Sequence, residues 1–96
     1  RFRQLTPFPA SPQIVEKLAA KHHVEWSEIE EVFRNRPRLF LSTIADQYGE
    51  SRYQAYGQTD AGRHLIVFFV SVLPNRAKVI SGRDMTPNER RRYRRK

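Results

Sequence analysis

The chain contains no cysteine, which excludes a disulfide-stapled scaffold, a thiol nucleophile and any cysteine-ligated zinc or iron–sulfur centre. Histidine is scarce too, with 3 in 96 residues, and two of them, His22 and His23, are adjacent. Neighbouring residues on a helix point about 100° apart, so this pair is poorly placed to share a metal ion. We therefore expect no resident metal and no other cofactor.

Long apolar runs and nucleotide-binding motifs are also missing. The densest apolar run, Leu65–Val70, is far shorter than the roughly 20 residues of a membrane-spanning helix. There is no signal-peptide pattern, glycine-rich dinucleotide or phosphate loop, or serine nucleophile elbow. With no internal repeat or linker, we expect residues 1–96 to form one cytoplasmic domain that has no membrane partner.

What the chain has in excess is positive charge, concentrated at its carboxyl end. Lys and Arg number 18 against 10 Asp and Glu, a net charge of +8. Residues 76–96 hold nine of the basic side chains and only two acidic ones, Asp84 and Glu89. Such a cluster is typical of a polyanion site or a surface for an acidic protein; the alternative is a solvated tail. The candidate RNA-binding residues are Arg76, Lys78, Arg90, Arg91 and Arg94.

Apolar spacing predicts two helices in the first half. Ser11 and Pro12 fit an N-cap and a first helical position, and the apolar residues that follow recur at helical spacing. His22 falls in the middle of that apolar stripe and Lys21 at its edge. A second helix is predicted to open on a capping box formed by Ser27 and Glu30 and to end before Pro37.

The pattern then changes to a period of two, which predicts strands joined by short polar turns and therefore an antiparallel sheet. The fold class we expect is α+β: a four-stranded antiparallel sheet with two N-terminal helices and a basic C-terminal helix. Arg63–Leu73 is apolar on both faces, as in a central strand. In simple alternation, Arg83 shares a face with Val79 and Ser81. The predicted strands are Arg38–Ile44, Arg52–Thr59, Arg63–Leu73 and Ala77–Arg83, and Phe2–Phe8 fits a fifth strand at the edge.

A last helix is predicted from Pro87, with Thr86 as its N-cap and Glu89 completing a capping box. Its only sizeable apolar side chain is Tyr93, so it cannot bury a wide face. Three things could order it: RNA phosphates, a protein partner, or packing of Tyr93 and the arginine stems on the sheet.

The chemistry left open by these absences is metal-free cleavage of RNA, in which the 2′-OH of the substrate is the nucleophile. The protein must then position the RNA, move protons and stabilise charge on the phosphate. The candidate catalytic residues are Lys21, His22, Glu50, Arg52, Arg83 and Tyr93. Ordinary structural roles compete with these: a core histidine at position 22, a surface ion pair of Glu50 with Arg52, Arg83 as counter-ion to Asp84, and simple packing of Tyr93.

Five segments together resemble the BrnT family of bacterial type II toxins over about residues 12–95. The departures are His23 and Gly82, where the family often has Gly and Ala, and Phe8-Pro9-Ala10-Ser11 in place of a tryptophan-containing strand. The segments are Lys21-His22-His23-Val24, Glu31-Val32-Phe33, the run from Gly49 to Gly57, the run from Val79 to Thr86, and Glu89-Arg90-Arg91-Arg92-Tyr93.

The resemblance implies a RelE-like fold, RNA cleavage without a metal, and inhibition by a DNA-binding, BrnA-like antitoxin with which the toxin forms a hetero-oligomer. In the physical assignment, Arg52 and Arg83 bind the scissile phosphate and Lys21 adds positive charge. His22 or Glu50 takes the proton of the 2′-OH, and Tyr93 is a proton donor or a platform for a base. The alternative is a non-catalytic RNA-binding or protein-interaction module.

Overall fold

A computed structural model describes residues 5–41, 52–73 and 75–95. The elements in chain order are β1 (Thr6–Pro7), α1 (Pro12–His22), α2 (Trp26–Arg34), β2 (Arg38–Leu41), β3 (Arg52–Gln58), β4 (His64–Leu73), β5 (Arg76–Asp84) and α3 (Pro87–Arg94).

The strands form one sheet in the order β1-β5-β4-β3-β2, which confirms the predicted α+β class. Strands β2, β3, β4 and β5 are consecutive in the sequence and in the sheet, and each neighbouring pair is antiparallel. The N-terminal edge strand is present but short, and it runs parallel to β5, with Thr6 opposite Arg76. Residues 2–4 of the predicted strand Phe2–Phe8 lie outside the described residues, and Leu5 and Phe8 are not part of β1. Residues 42–44, the end of the predicted strand Arg38–Ile44, also lie outside the described residues.

The first helix begins as the sequence predicts, with the Ser11 hydroxyl accepting a hydrogen bond from the Ile14 amide at 3.3 Å. It ends at His23, whose φ of +56° lies in the left-handed region that favours glycine. A glycine would adopt this conformation without the steric cost that His23 incurs.

The predicted start of the second helix is wrong. The N-cap is Glu25 rather than Ser27, and the N3 residue is Glu28, whose carboxylate accepts a hydrogen bond from the Glu25 amide at 3.0 Å. The same carboxylate is also bound by Arg63, at 3.0 Å. This long-range ion pair holds Glu28 at the helix start. Ser27 and Glu30 fit the sequence pattern of a capping box, but the helix begins before Ser27, so they do not cap it.

The sheet has a different core on each of its two faces. On one face, which we call the helix face, α1 and α2 cover a large cluster that includes Leu18, Ile29, Phe33 and Phe69, each no more than 1% exposed. On the other, which we call the α3 face, Tyr56, Ile66 and Met85 form a smaller buried cluster. The central strand β4 is therefore covered on both sides, as its double apolar pattern predicts.

A bulge in β5 overturns one prediction about the faces. Phe68 is opposite Ser81 and Phe69 is opposite Val79, so Ile80 is the extra residue. Because the bulge interrupts the alternation, Val79 belongs to the helix-face core. Arg83, opposite Ile66 of the smaller cluster, lies with Ser81 on the α3 face. The predicted shared face of Arg83 and Val79 is thus wrong.

Within the described part of the chain, no helix is both long enough and apolar enough to span a membrane.

Candidate functional site

Helix α3 is anchored at its carboxyl end by a single arginine of strand β2. The Arg38 guanidinium donates to the carbonyl oxygens of Tyr93 at 2.8 Å and Arg92 at 3.2 Å, and also to that of Arg95. The last carbonyls of a helix lack internal partners and carry partial negative charge, so a cation there is favourable. Arg38 therefore acts as a C-terminal cap supplied by the sheet.

Aromatic and arginine side chains fill the space between α3 and the sheet. The Arg92 guanidinium lies 3.9 Å from the centre of the Phe40 ring and 5.5 Å from that of Tyr56. Tyr93 packs against the small cluster, and its ring meets the His64 ring edge-to-face with the centroids 5.8 Å apart. The sequence allows three ways of ordering this helix, which has almost no apolar side chains. The structure supports the third, in which Tyr93 and the arginine stems pack on the sheet.

Arg83 connects strand β5 to α3. Its guanidinium donates to both carboxylate oxygens of Glu89, at 2.8 and 2.9 Å, and to the backbone carbonyl of Asp84 at 3.1 Å. The carboxylate of Asp84 is engaged elsewhere, with Arg63 at 2.8 Å. The interpretation of Arg83 as the counter-ion of Asp84 is therefore wrong, because Asp84 points to the helix face and Arg83 to the α3 face.

The Arg83–Glu89 pair perturbs both titrations in the direction expected for a hydrogen-bonded ion pair. The two hydrogen bonds from Arg83, with a smaller contribution from the Thr86 amide, lower the pKa of the Glu89 carboxyl below its usual value. The same pairing raises the pKa of Arg83 against the opposing effect of burial. Glu89 is thus a carboxylate held by both prongs of the Arg83 guanidinium, a fork whose shape also matches two oxygens of a phosphate.

No sequence pattern assigns a role to His64, the third histidine of the chain. It begins β4 on the α3 face, two residues before Ile66, and touches the Tyr93 ring. Burial lowers the pKa of His64, and the charges of Arg90 and Arg94 lower it further. The lowered pKa favours the neutral imidazole, in which one ring nitrogen is an acceptor. Alternation along β4 indicates its face, but the nearness of Tyr93 depends on where α3 docks.

The Tyr93 hydroxyl completes this group by donating to the side-chain oxygen of Gln58 at 3.4 Å. Gln58 is opposite His64 across β3 and β4. Tyr93, His64 and Arg83 therefore lie at one end of the α3 face, which brings a hydroxyl, an imidazole and a guanidinium into one neighbourhood.

Arg52 lies further along the same face. It is opposite Val70 on β4, and Val70 is opposite Lys78 on β5, so the two cations flank Val70 in one row across the sheet. The Arg52 Nε is buried and, within residues 5–41, 52–73 and 75–95, has no hydrogen-bond partner. An anion that approaches this row meets a cation on each side of it.

Lys21 and His22 are placed apart from that group. They form the last turn of α1, the helix on the opposite face, where Lys21 is exposed and His22 half-buried. Across the described ranges, no hydrogen bond or ion pair joins either side chain to Arg52, Arg83 or Tyr93. Glu50 lies outside the described residues. The catalytic roles of these three residues stay predictions.

Arg63, which sequence reasoning did not single out, fastens the end of α1. Its guanidinium donates to the His23 carbonyl at 2.8 Å and to the carboxylates of Glu28 and Asp84. These contacts join α1, α2 and β5 at one corner of the helix face. Hydrogen bonding to Arg63 is the main reason why the pKa of Asp84 is lowered. No local signal predicts this, since Arg63 follows a turn glycine and its partners lie 21 to 40 residues away in sequence.

The remaining candidate RNA-binding residues surround the α3 face unevenly. Arg90, Arg91 and Arg94 are exposed on α3, and Arg94 joins Arg38 and Tyr93 in lining an open cleft of about 490 Å³. Lys78 is exposed as well. Arg76 lies at the other edge, with its guanidinium 4.2 Å from the centre of the Phe8 ring.

The titratable side chains do not form a metal site in the part of the chain that the structure describes: no group of three or more His, Asp and Glu is close enough together to hold an ion.

Comparisons with known proteins identify a family and a solved structure of similar fold. Residues 14–89 match the family model described as the ribonuclease toxin BrnT of type II toxin–antitoxin systems. The fold is similar to the 1.1 Å crystal structure of the Brucella abortus ribonuclease toxin BrnT, with a TM-score of 0.62 and 22% sequence identity. That likeness covers 84% of this chain and 97% of the Brucella chain. No curated protein sequence matches the chain.

Proposed function

Since the chain belongs to the family of BrnT ribonuclease toxins of type II toxin–antitoxin systems, we propose that it cleaves RNA without a metal on the α3 face of its sheet. The observation that supports this location is Arg83. A strand fixes it, it lies on the same face as Tyr93 and His64, and its guanidinium already binds a carboxylate through two hydrogen bonds. The fork that accepts a carboxylate also fits two oxygens of a phosphate.

In the proposed reaction the RNA brings its own nucleophile. The 2′-oxygen forms a bond to the adjacent phosphorus while the bond from phosphorus to the 5′-oxygen breaks, which leaves a 2′,3′-cyclic phosphate and a 5′-hydroxyl. Arg83, after exchanging Glu89 for the phosphate, stabilises the charge that develops on the phosphate oxygens. Arg52, one of the cations further along the face, holds a neighbouring phosphate.

Two proton transfers complete the reaction. His64 takes the proton of the 2′-OH, because its lowered pKa keeps the imidazole neutral at physiological pH. Tyr93 gives a proton to the leaving 5′-oxygen. His64 thereby takes the role that the sequence assigned to His22 or Glu50. Lys21 lies in the last turn of α1 on the opposite face, and we keep for it only a long-range contribution of positive charge.

The same proposal covers the partner and the location. As a type II toxin the protein acts on RNA and is countered by an antitoxin, and we assign that antitoxin to the BrnA-like, DNA-binding class, in a hetero-oligomer in the cytoplasm. Exposed Arg90, Arg91 and Arg94 offer this partner a basic surface. An antitoxin with an acidic segment would cover the cations that RNA needs.

The test is cleavage of labelled single-stranded RNA in excess EDTA by the wild type and by Arg52→Ala. We expect cleavage that survives EDTA, is lost in the variant, and stops when the nucleotide at the cleaved position lacks its 2′-OH. Binding without cleavage by a folded wild type would favour the non-catalytic module. Cleavage abolished by EDTA would contradict the metal-free mechanism.

A further inference from the structure

Phe68 is less deeply buried than its neighbours on the same face of β4. On the α3 face of β4, Ile66 is 0% and Val70 is 3% exposed, whereas Phe68, which lies between them, is half-buried. A large aromatic ring in the centre of the middle strand would normally be covered. The ring packs against the small cluster of Tyr56, Ile66 and Met85, but part of it stays accessible to solvent and so to a ligand.

The residues beside Phe68 are polar and differ in size. Gln54 of β3 and Ser81 of β5 are both opposite Phe68, one on each side, and both are half-buried. Adjacent strands are about 4.8 Å apart, so a flat ring stacked on Phe68 would have its edges within reach of both. The small Ser81 leaves room beside the ring, and the amide of Gln54 offers a donor and an acceptor.

Cations lie in the rows on either side. Arg83 is in the row of Ile66, with its guanidinium 5.5 Å from the centre of the Phe68 ring. Arg52 and Lys78 are in the row of Val70. Successive rows on one face are about 7 Å apart, so the two cation rows, with the Phe68 row between them, are about 14 Å apart. That distance is comparable to the span of two successive nucleotides in an extended single strand.

We propose that Gln54, Phe68 and Ser81 form a nucleobase subsite for single-stranded RNA. The base of one nucleotide stacks on Phe68, one of its flanking phosphates lies at Arg83, and a phosphate further along the strand lies at Arg52 and Lys78. This deepens the proposed function and rests on it, since it places the nucleotide next to the scissile phosphate. Gln54 contacts the edge of the base and so sets a preference among bases, while stacking alone accepts any base.

The test measures stacking without relying on cleavage. The probe is a single-stranded oligoribonucleotide that carries the fluorescent base 2-aminopurine on a 2′-deoxy nucleotide, so it cannot be cut at that position. We expect wild-type protein to quench the fluorescence. Phe68→Leu should lose the quenching and about tenfold in affinity, whereas Phe68→Tyr, which keeps the ring, should retain both. Gln54→Ala should bind with less discrimination when the neighbouring base is varied.

The matched control is Phe40→Leu, the same substitution on the same face at a ring already covered by Arg92. It should leave the quenching intact, and thermal melts of all variants exclude unfolding. Unchanged affinity and quenching in Phe68→Leu would overturn the subsite. A Phe68→Leu variant that binds RNA normally but no longer binds the antitoxin would also overturn it, because the exposed part of the ring would then be a protein contact. If the wild type cleaves RNA without quenching, the subsite fails and the ribonuclease stands. Quenching that depends on Phe68 without any cleavage would support the subsite and contradict the ribonuclease.

Discussion

The two faces of the sheet are stabilised by different kinds of interaction. The helix face buries aliphatic and aromatic side chains completely under two helices, with Leu18, Ile29 and Val32 all 0% exposed. The α3 face has a small core, and α3 itself buries no residue fully. Hydrophobic burial stabilises the first face, whereas caps, ring stacking and ion pairs hold α3 on the second.

The arginines differ in the same way. On the helix face, Arg63 binds two carboxylates and a helix-end carbonyl, so its donors hold elements together. On the α3 face, Arg83 has one carboxylate partner, Glu89, and Arg52 has an unpartnered Nε among the described residues. A face held by exchangeable polar contacts can release them to a ligand. This difference supports the proposal that one side of the sheet stabilises the fold while the other binds RNA.

The largest effect should come from the helix-face core. Phe33 is 1% exposed, and its ring lies edge-to-face with that of Phe69 at 5.5 Å. Phe33→Ala should lower the free energy of unfolding by about 3–5 kcal/mol. Phe40→Ala, at a half-buried ring on the α3 face, should cost clearly less. Urea unfolding of both variants measures this, and equal losses would break the distinction between the faces.

Close packing on the helix face should also resist a single added methyl group. A Cβ at Gly57 would lie 2.9 Å from Val32 Cγ1 and 3.3 Å from Pro37 Cβ. Gly57→Ala should therefore cost about 1–3 kcal/mol. At Gly82, where the BrnT pattern often has Ala, the new Cβ meets the flexible end of Ile29 at 3.1 Å. Gly82→Ala should change the urea midpoint much less, and the reverse order would contradict the packing.

The Arg83–Glu89 pair tests the α3 face. Glu89→Gln keeps the capping geometry but removes the charge that competes with phosphate, so RNA should bind more tightly. Because Arg83 is 36% exposed, solvent screening limits the loss of stability to below about 1 kcal/mol. The control is Glu30→Gln, which removes the same charge from α2. Fluorescence anisotropy with labelled RNA measures both, and equal gains would mean that net charge alone is responsible.

The smallest effect concerns pH. In the unfolded chain His64 takes up a proton near its ordinary pKa of 6.5, but burial and the charges of Arg90 and Arg94 lower that pKa in the folded protein. The unfolded state therefore binds more protons as pH falls through 6.5, and stability decreases there. Melting temperatures of His64→Gln should fall less between neutral and mildly acidic pH than those of the wild type. Parallel curves would contradict the perturbed titration.

Local sequence signals predict most of this fold and only part of the site. Caps at Ser11 and Thr86, the central position of β4 and the alternation in β3 all depend on neighbouring residues, and the structure agrees with them. The start of α2 is set instead by the long-range pair of Glu28 with Arg63, and the orientation of Arg83 by the bulge at Ile80. Tertiary contacts of this kind have no local pattern, which is why His64 and Phe68 also escaped notice.

The most direct test of the functional α3 face is single-turnover RNA cleavage in EDTA by Arg83→Lys and Arg63→Lys. Lysine keeps the charge but loses the two-pronged geometry. Arg83→Lys should lose about 10²–10³ in cleavage rate with little change in melting temperature. Arg63→Lys should melt earlier and keep most of its cleavage rate when assayed below its melting temperature. An active Arg83→Lys that melts like the wild type would contradict the account and remove Arg83 from the site.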